Sequence, residues 1–188
     1  WMALGKIEAA AADFRRAVAI DPEFAVAHSN LGHVLLRDLG EDEKGARHIE
    51  TALRLSPGNA DVLCNYSMVL SHQGRLDEMI SLCDELLAAR PNMEEVRLNR
   101  ALAFLKLGDY RRGWEGYEAR KRVRSNFVPR VFSHPEWQGQ ELAGKTVLVY
   151  GEQGLGDEIM FASCLPDLIA RAGRCVIDCS PKLEKLFR

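Results

Sequence analysis

HSNLGHVL, residues 28–35, and IETALRLSPGNA, residues 49–60, decide the fold, because their features return at a fixed interval. Glycines fall at Gly5, Gly40, Gly74 and Gly108, in steps of 35, 34 and 34, and prolines at Pro22, Pro57 and Pro91, in steps of 35 and 34. A period near 34 marked by turn residues signals stacked helical hairpins. Glycine ends each first helix, where a left-handed residue is needed, and proline follows each second helix, which it cannot continue. Where the helices of a hairpin come closest, the register places Gly32, Ser67 and Ala101 on first helices and Ala10, Gly45, Met79 and Gly113 on second ones. Four residues on, Phe14, Ile49, Cys83 and Tyr117 fill the space between neighbours. The pattern predicts seven near-complete helices from about residue 2 to residue 123 and no strand before residue 140.

A second column runs in the same register. Asn30, Asn65 and Asn99 recur in steps of 35 and 34 on the inner face of the first helices. A primary amide donates and accepts, so such a column can pair with the backbone of an extended peptide whatever its side chains. The same amides could instead tie adjacent hairpins together through helix backbones. The two stretches quoted above resemble the tetratricopeptide repeat, and the resemblance extends over residues 1–123 as about 3.5 repeats. It implies a concave groove that binds a protein or extended peptide, and an asparagine ladder similar to that of O-GlcNAc transferases. The first repeat lacks most of its leading helix. The fourth carries Ser125 in place of the closing proline and Arg120 where Ala17 and Ala52 sit, so the array is expected to end there.

Composition narrows the partners. The formal net charge is −2, from 25 basic and 27 acidic side chains, which gives no drive toward nucleic acid or an anionic membrane. The cluster Arg120, Lys121, Arg122 and Arg124 reads as a solvated helix end. No apolar run reaches the roughly 18 residues of a spanning helix. Cys64, Cys83, Cys164, Cys175 and Cys179 show no CxxC pair and no metal spacing with the histidines, which predicts no metal site and reduced thiols in a cytoplasmic protein. The chain opens at Trp1 without a methionine and stops at Arg188 inside a helical pattern, so a longer parent protein is expected.

After residue 123 the period breaks. Residues 124–145 hold Pro129 and Pro135 together with Phe127, Phe132 and Trp137, and read as an extended linker packed on the last hairpin by those aromatics. TVLVY, residues 146–150, reads as a buried strand, followed by a glycine-rich loop, a helix from about Asp157 to Ala172 and a second strand within RCVIDC. The fold class is thus mainly α: a helical-hairpin solenoid followed by a truncated α/β unit, the strand–helix–strand opening of a parallel sheet over residues 146–188. Such a piece is expected to dock on the array through Trp137 and Phe132 or to pair across a homodimer.

Three motifs compete at the loop. Gly139, Gly144, Lys145 and Thr146 match a Walker pattern, but they precede the strand, where phosphate chemistry cannot use them. Gly151, Gly154 and Gly156 give GxxGxG rather than the dinucleotide spacing, despite Asp178 at the end of the second strand, and Asp157 and Glu158 would repel a pyrophosphate. The third reading centres on Asp157, at a helix start where backbone amides stabilise a carboxylate. WQGQELAGKTVLVYGEQGLGDEIMFASCLPDL resembles the start of the glycosyltransferase domain that follows tetratricopeptide repeats in many bacterial proteins, and the first strand, loop and helix of the heptosyltransferases. Gly156, Asp157 and Pro166 carry that likeness, with Gly154 and Gly156 in the ligand loop. It implies a two-lobed fold and a general base at Asp157. It also implies a sugar nucleotide for the full-length protein but no cofactor in this fragment. The parent would then be a bacterial glycosyltransferase whose array recruits a protein substrate. The alternative is a non-catalytic scaffold for complex assembly.

Overall fold

The computed structural model describes residues 2–123, 130, 132–152 and 154–187. Ser125, Phe127, Pro129 and Arg124 lie outside the described residues. Contacts divide the chain into two units, Trp1–Ser125 and Asn126–Arg188.

The first unit is a run of antiparallel helices: α1 (Met2–Ile20), α2 (Ala25–Arg37), α3 (Asp42–Leu55), α4 (Ala60–His72), α5 (Leu76–Ala89), α6 (Glu94–Lys106) and α7 (Tyr110–Tyr117), the last continued by a 3-10 turn over Glu118–Lys121. Gly40, Gly74 and Gly108 have φ of 67°, 72° and 81°, the left-handed conformation that ends α2, α4 and α6. Arg75 N donates to Leu70 O and Asp109 N to Phe104 O, each at 2.9 Å, while the first of these turns closes one residue wider, from Glu41 N to Leu35 O. The 35-residue step is thereby explained. α2, α4 and α6 each have 13 residues, and the extra residue of the first full repeat sits in the turn after α2.

Gly5 is a correction. It keeps the sequence period, yet lies inside α1, with no left-handed backbone. Strong helix formers on either side carry the helix through it, which outweighs the roughly 1 kcal/mol that glycine costs.

Packing follows the register closely. Gly32 faces Gly45 across the α2–α3 crossing, where a Cβ on Gly32 would lie 2.7 Å from Gly45 O and one on Gly45 2.8 Å from Gly32 O. Ile49 and Cys83 are fully buried, and Met79, the one bulky residue at a crossing, is 2% exposed. Ala11, Leu31 and Leu35 form one cluster; Leu36, Ile49 and Val69 bridge the next hairpin; and Leu70, Met79, Cys83, Leu86, Val96 and Ala103 continue it. Each fully buried aliphatic side chain contributes on the order of 1.5–3 kcal/mol. First helices also touch across repeats, α2 with α4 and α4 with α6, whereas no comparable contact joins α3 to α5 or α5 to α7. That asymmetry puts the first helices on the inside of the curve.

The second unit holds strand β1 (Thr146–Tyr150), helix α8 (Leu155–Phe161), a 3-10 turn at Ala162–Cys164, helix α9 (Leu165–Arg171), strand β2 (Arg174–Asp178) and helix α10 (Glu184–Phe187). β1 and β2 pair in parallel, with Thr146 opposite Arg174 and Tyr150 opposite Asp178. The crossover differs from the expected single helix of Asp157–Ala172: it starts at Leu155 and breaks before Pro166, which is tolerated only in a first turn and here opens α9. Among the described residues Thr146 begins the first strand, and no helix is long and apolar enough to cross a membrane.

Candidate functional site

The inner face is built from side chains that cross directly between first helices. Asn65 of α4 donates from Nδ2 to Ser29 Oγ of α2 at 2.8 Å, and its Oδ1 lies 2.9 Å from His33 Nδ1. With Nδ2 committed to Ser29, the Asn65 carbonyl accepts, so His33 carries its proton on Nδ1 and leaves Nε2 as an acceptor. Burial holds His33 below the usual imidazole value, against the opposing Asn65 bond, and the nearby Arg37 lowers it further. One repeat on, Asn99 of α6 donates to Ser67 Oγ at 3.0 Å and lies 3.8 Å from Cys64 Sγ, while Ser67 donates to Cys64 O at 2.6 Å. Lys106 Nζ donates to Ser71 Oγ at 2.7 Å, a further α6-to-α4 bridge.

The column therefore ties adjacent hairpins through serine hydroxyls. It retains unspent capacity: the Asn99 carbonyl and the whole Asn30 amide make no hydrogen bond among the described residues. The asparagines are flanked by two more columns in the same register. His33, Met68 and Leu102 stand one turn on, and Arg37, His72 and Lys106 two turns on. Leu102 is 38% exposed. Arg37 pairs with Asp38 at 3.1 Å, and His72 Nδ1 lies 3.5 Å from Asp42 Oδ2. The face thus offers amides, a soft apolar strip and a partly neutralised basic rim, a set suited to an extended chain. Burial first, and then the neighbouring Cys83, pushes the Cys64 thiol up to about 12; burial pushes Cys83 up to about 11.

The second unit places the predicted loop at the carboxyl ends of its strands, where ligands of open α/β sheets bind. α8 is capped by Gly154, so Asp157 stands in its first turn rather than at the cap, and its Oδ2 accepts from Gly154 N at 3.2 Å. Glu158 reaches across to the segment that follows β2, where Oε2 accepts from Ser180 N at 2.9 Å. Gly151 makes room for it: a Cβ there would meet Glu158 Cδ at 2.6 Å. Gly154 and Gly156 are not required in that way, since a Cβ on Gly156 meets open space and one on Gly154 only Asp157 Oδ2 at 3.6 Å. Arg130 pairs with Asp178 at 2.6 Å and lies against the rings of Phe132 and Tyr150. The Phe132 ring lies tilted against Tyr150 with centroids 4.9 Å apart, and Trp137 donates to Gln140 O beneath Arg171, so both aromatics have partners inside their own unit. The Glu158–Ser180 tie and the serine partners of the asparagines were not foreseen. Ser29 and Ser67 did carry a signal, being small polar residues beside the asparagine column.

Profiles of the tetratricopeptide repeat match residues 2–38 and 35–94. Protein FlbA of Caulobacter vibrioides is 32% identical over 164 residues, 85% of this chain and 27% of FlbA, so the chain spans about a quarter of that relative's length. Among solved structures, the Pseudomonas aeruginosa protein described as pilF is 28% identical with a TM-score of 0.51, covering 66% of this chain and 56% of its own. A structure titled "YrrB: a TPR protein with an unusual peptide-binding site" is 18% identical with a TM-score of 0.47, covering 65% and 63%. With the repeat register, the left-handed glycine turns and the stacked first helices already established, the two profile matches identify residues 2–94 as a tetratricopeptide-repeat region.

Proposed function

We propose that the first-helix face binds an extended segment of a partner protein and that the chain acts as an interaction module. The observation that carries this reading is the amide column, in which Asn30 and the Asn99 carbonyl keep hydrogen-bonding capacity that the fold does not consume. A peptide backbone laid along the column would satisfy them, each bond contributing about 1 kcal/mol net. Peptides selected by display against the protein supply the probe. Asn30→Ala should weaken their binding about fivefold in calorimetry without moving thermal stability. Unchanged affinity together with binding outside this face would overturn the reading. In its simplest form the module is a scaffold that brings protein complexes together. Its five cysteines are free, which suits a cytoplasmic setting.

A second reading makes the array the recruiting arm of a bacterial glycosyltransferase, with a sugar nucleotide as donor in the full-length protein. What supports it is the parallel β1–β2 pair, with its loop carboxylates at the strands' carboxyl ends. Asp157, with Gly154 and Gly156 beside it, would take the acceptor's hydroxyl proton as oxygen attacks the anomeric carbon and the nucleotide leaves. Glu158 is the weaker choice, because Ser180 N holds it at 2.9 Å and its side chain packs against Gly151, whereas Gly154 N holds Asp157 at 3.2 Å. Asp157→Asn in the full-length protein should lower sugar transfer about a hundredfold if this reading holds. Undiminished transfer would remove Asp157 from it. A homodimer through the exposed edges of the two-stranded sheet is a further element of the proposal, tested by sedimentation.

A further inference from the structure

The α2–α3 junction contains a pair of imidazoles that the groove does not use. His28 of α2 is 8% exposed, and its Nδ1 lies 2.9 Å from His48 Nδ1 of α3, with ring centroids 5.1 Å apart. The other His28 nitrogen, Nε2, lies 3.1 Å from Pro22 O. A carbonyl can only accept, so His28 carries its proton on Nε2 and its Nδ1 is bare. The bare nitrogen must accept, so His48 carries its proton on Nδ1. One chain of hydrogen bonds thus runs from α3 through α2 to the turn before α2, and its polarity is fixed by the Pro22 carbonyl.

We propose that the His28–His48 pair is an acid-sensitive latch joining α3 to α2 and to the turn at Pro22, closed while a single proton lies between the two Nδ1 atoms and opened when both Nδ1 atoms carry one. Two Nδ1 protons would then face each other across 2.9 Å, and two donors cannot share a hydrogen bond. A proton on His48 Nε2 keeps the bond, so the folded pair accepts at most one proton before opening, whereas the unfolded chain takes two. The surroundings oppose even the first. Burial holds His48 below the usual 6.5, and His28, Arg15 of α1 and Arg47 of α3 add to that. Arg15 also pairs with Glu41 at 3.7 Å. Asp21 and Glu23 flank Pro22, and the Asp21 carboxylate is taken up by Glu23 N at 3.0 Å. Among the described residues no hydrogen bond or ion pair joins either ring to Asp61, Cys64, Tyr66 or His72, the titratable groups of α4.

Because the folded-state value of His48 lies below the unfolded one, the stabilisation is complete above about 6.5 and drains as pH falls below it. Each proton taken up on opening lowers the closed-to-open ratio by up to about tenfold per pH unit. Hydrogen exchange, corrected for the intrinsic pH dependence, should therefore show α2 and α3 amides losing protection between pH 7.5 and pH 5, ahead of α5 and α6. In His48→Gln the amide can donate to neutral His28 or turn its carbonyl to accept from charged His28, so this selective loss should vanish. His33→Gln, which leaves the pair intact, should keep it. Nitrogen-15 spectra of the wild-type imidazoles decide the matter even if a variant fails to fold: at pH 7.5 His28 must be the Nε2–H tautomer and His48 the Nδ1–H tautomer. The opposite tautomers, or equal loss of protection in α2–α3 and α5–α6, would overturn the latch.

Discussion

Gly32→Ala tests whether the hairpins are held by backbone contact. A Cβ there would sit 2.6 Å from Ile49 Cγ1, 2.7 Å from Gly45 O and 3.0 Å from Ile49 N. Two of the three obstacles are backbone, so the methyl fits only if α2 and α3 move apart by roughly 0.5–1 Å, given the carbon contact distance of about 3.5 Å. Such overpacking costs about 1–3 kcal/mol, with backbone obstacles at the upper end. Against it stands the helix-propensity gain of glycine to alanine, about 1 kcal/mol. The expected net is a loss of about 1–2 kcal/mol. Gly5→Ala is the internal control, because Gly5 is helical and a Cβ there meets nothing within 4 Å. It should gain up to about 1 kcal/mol from propensity alone. Urea unfolding followed by circular dichroism reads both, with hydrogen exchange of α2 and α3 to locate the loss, since repeat arrays need not unfold in one step. A Gly32→Ala protein as stable as Gly5→Ala would refute the close crossing.

Asn65→Ala should cost about 1–2 kcal/mol of stability, because Ser29 and His33 both lose a partner, while Asn30→Ala should leave the unfolding midpoint in place. Gly74→Ala, at φ 72°, should destabilise by about 1 kcal/mol, whereas Gly156→Ala should be neutral by the same assay. Iodoacetamide at pH 8 should label exposed Cys164 well before Cys64 and Cys83, whose thiols lie at about 12 and about 11; equal rates by mass spectrometry would contradict that burial. Asp109 caps α7 and is held below the usual carboxylate value by the Arg112 amide, then by its guanidinium, so its support for α7 is present above pH 3.8 and lost as acid protonates it. Asp109→Asn should keep the cap and remove that acid dependence.

The array was readable because its constraints are local and repeated. A left-handed turn must be glycine, and a crossing at backbone distance must be small, so Gly40, Gly74, Gly108, Gly32 and Gly45 announce their roles. Gly5 shows the limit: the residue alone does not make a turn when its neighbours favour helix. The asparagine column was visible as a column, but not its partners, because hydrogen bonding between Asn65 and Ser29 depends on the offset between helices 36 residues apart. At the second loop the sequence singled out Asp157 and left Glu158 as its rival. Which of two adjacent acids crosses to the segment after β2 depends on which side of α8 each occupies, and the helix starts at Leu155, two residues before the expected position. His28 and His48 belong to no motif, and only the antiparallel return of α3 brings them together.

The wider turn between α2 and α3 has a consequence for how such repeats can be exchanged. α2, α4 and α6 have the same length, and the one-residue difference between repeats is absorbed wholly in a surface turn. The helices fix the stacking distance while the glycine turn is the slack. Modules cut at Pro22, Pro57 and Pro91 would carry their own turn and keep every inter-helix bond in phase. Modules joined at the glycines would inherit a turn of the wrong reach, shifting one helix by a residue, about 1.5 Å along its axis and 100° around it. Repeats are interchangeable at their prolines and committed at their glycines.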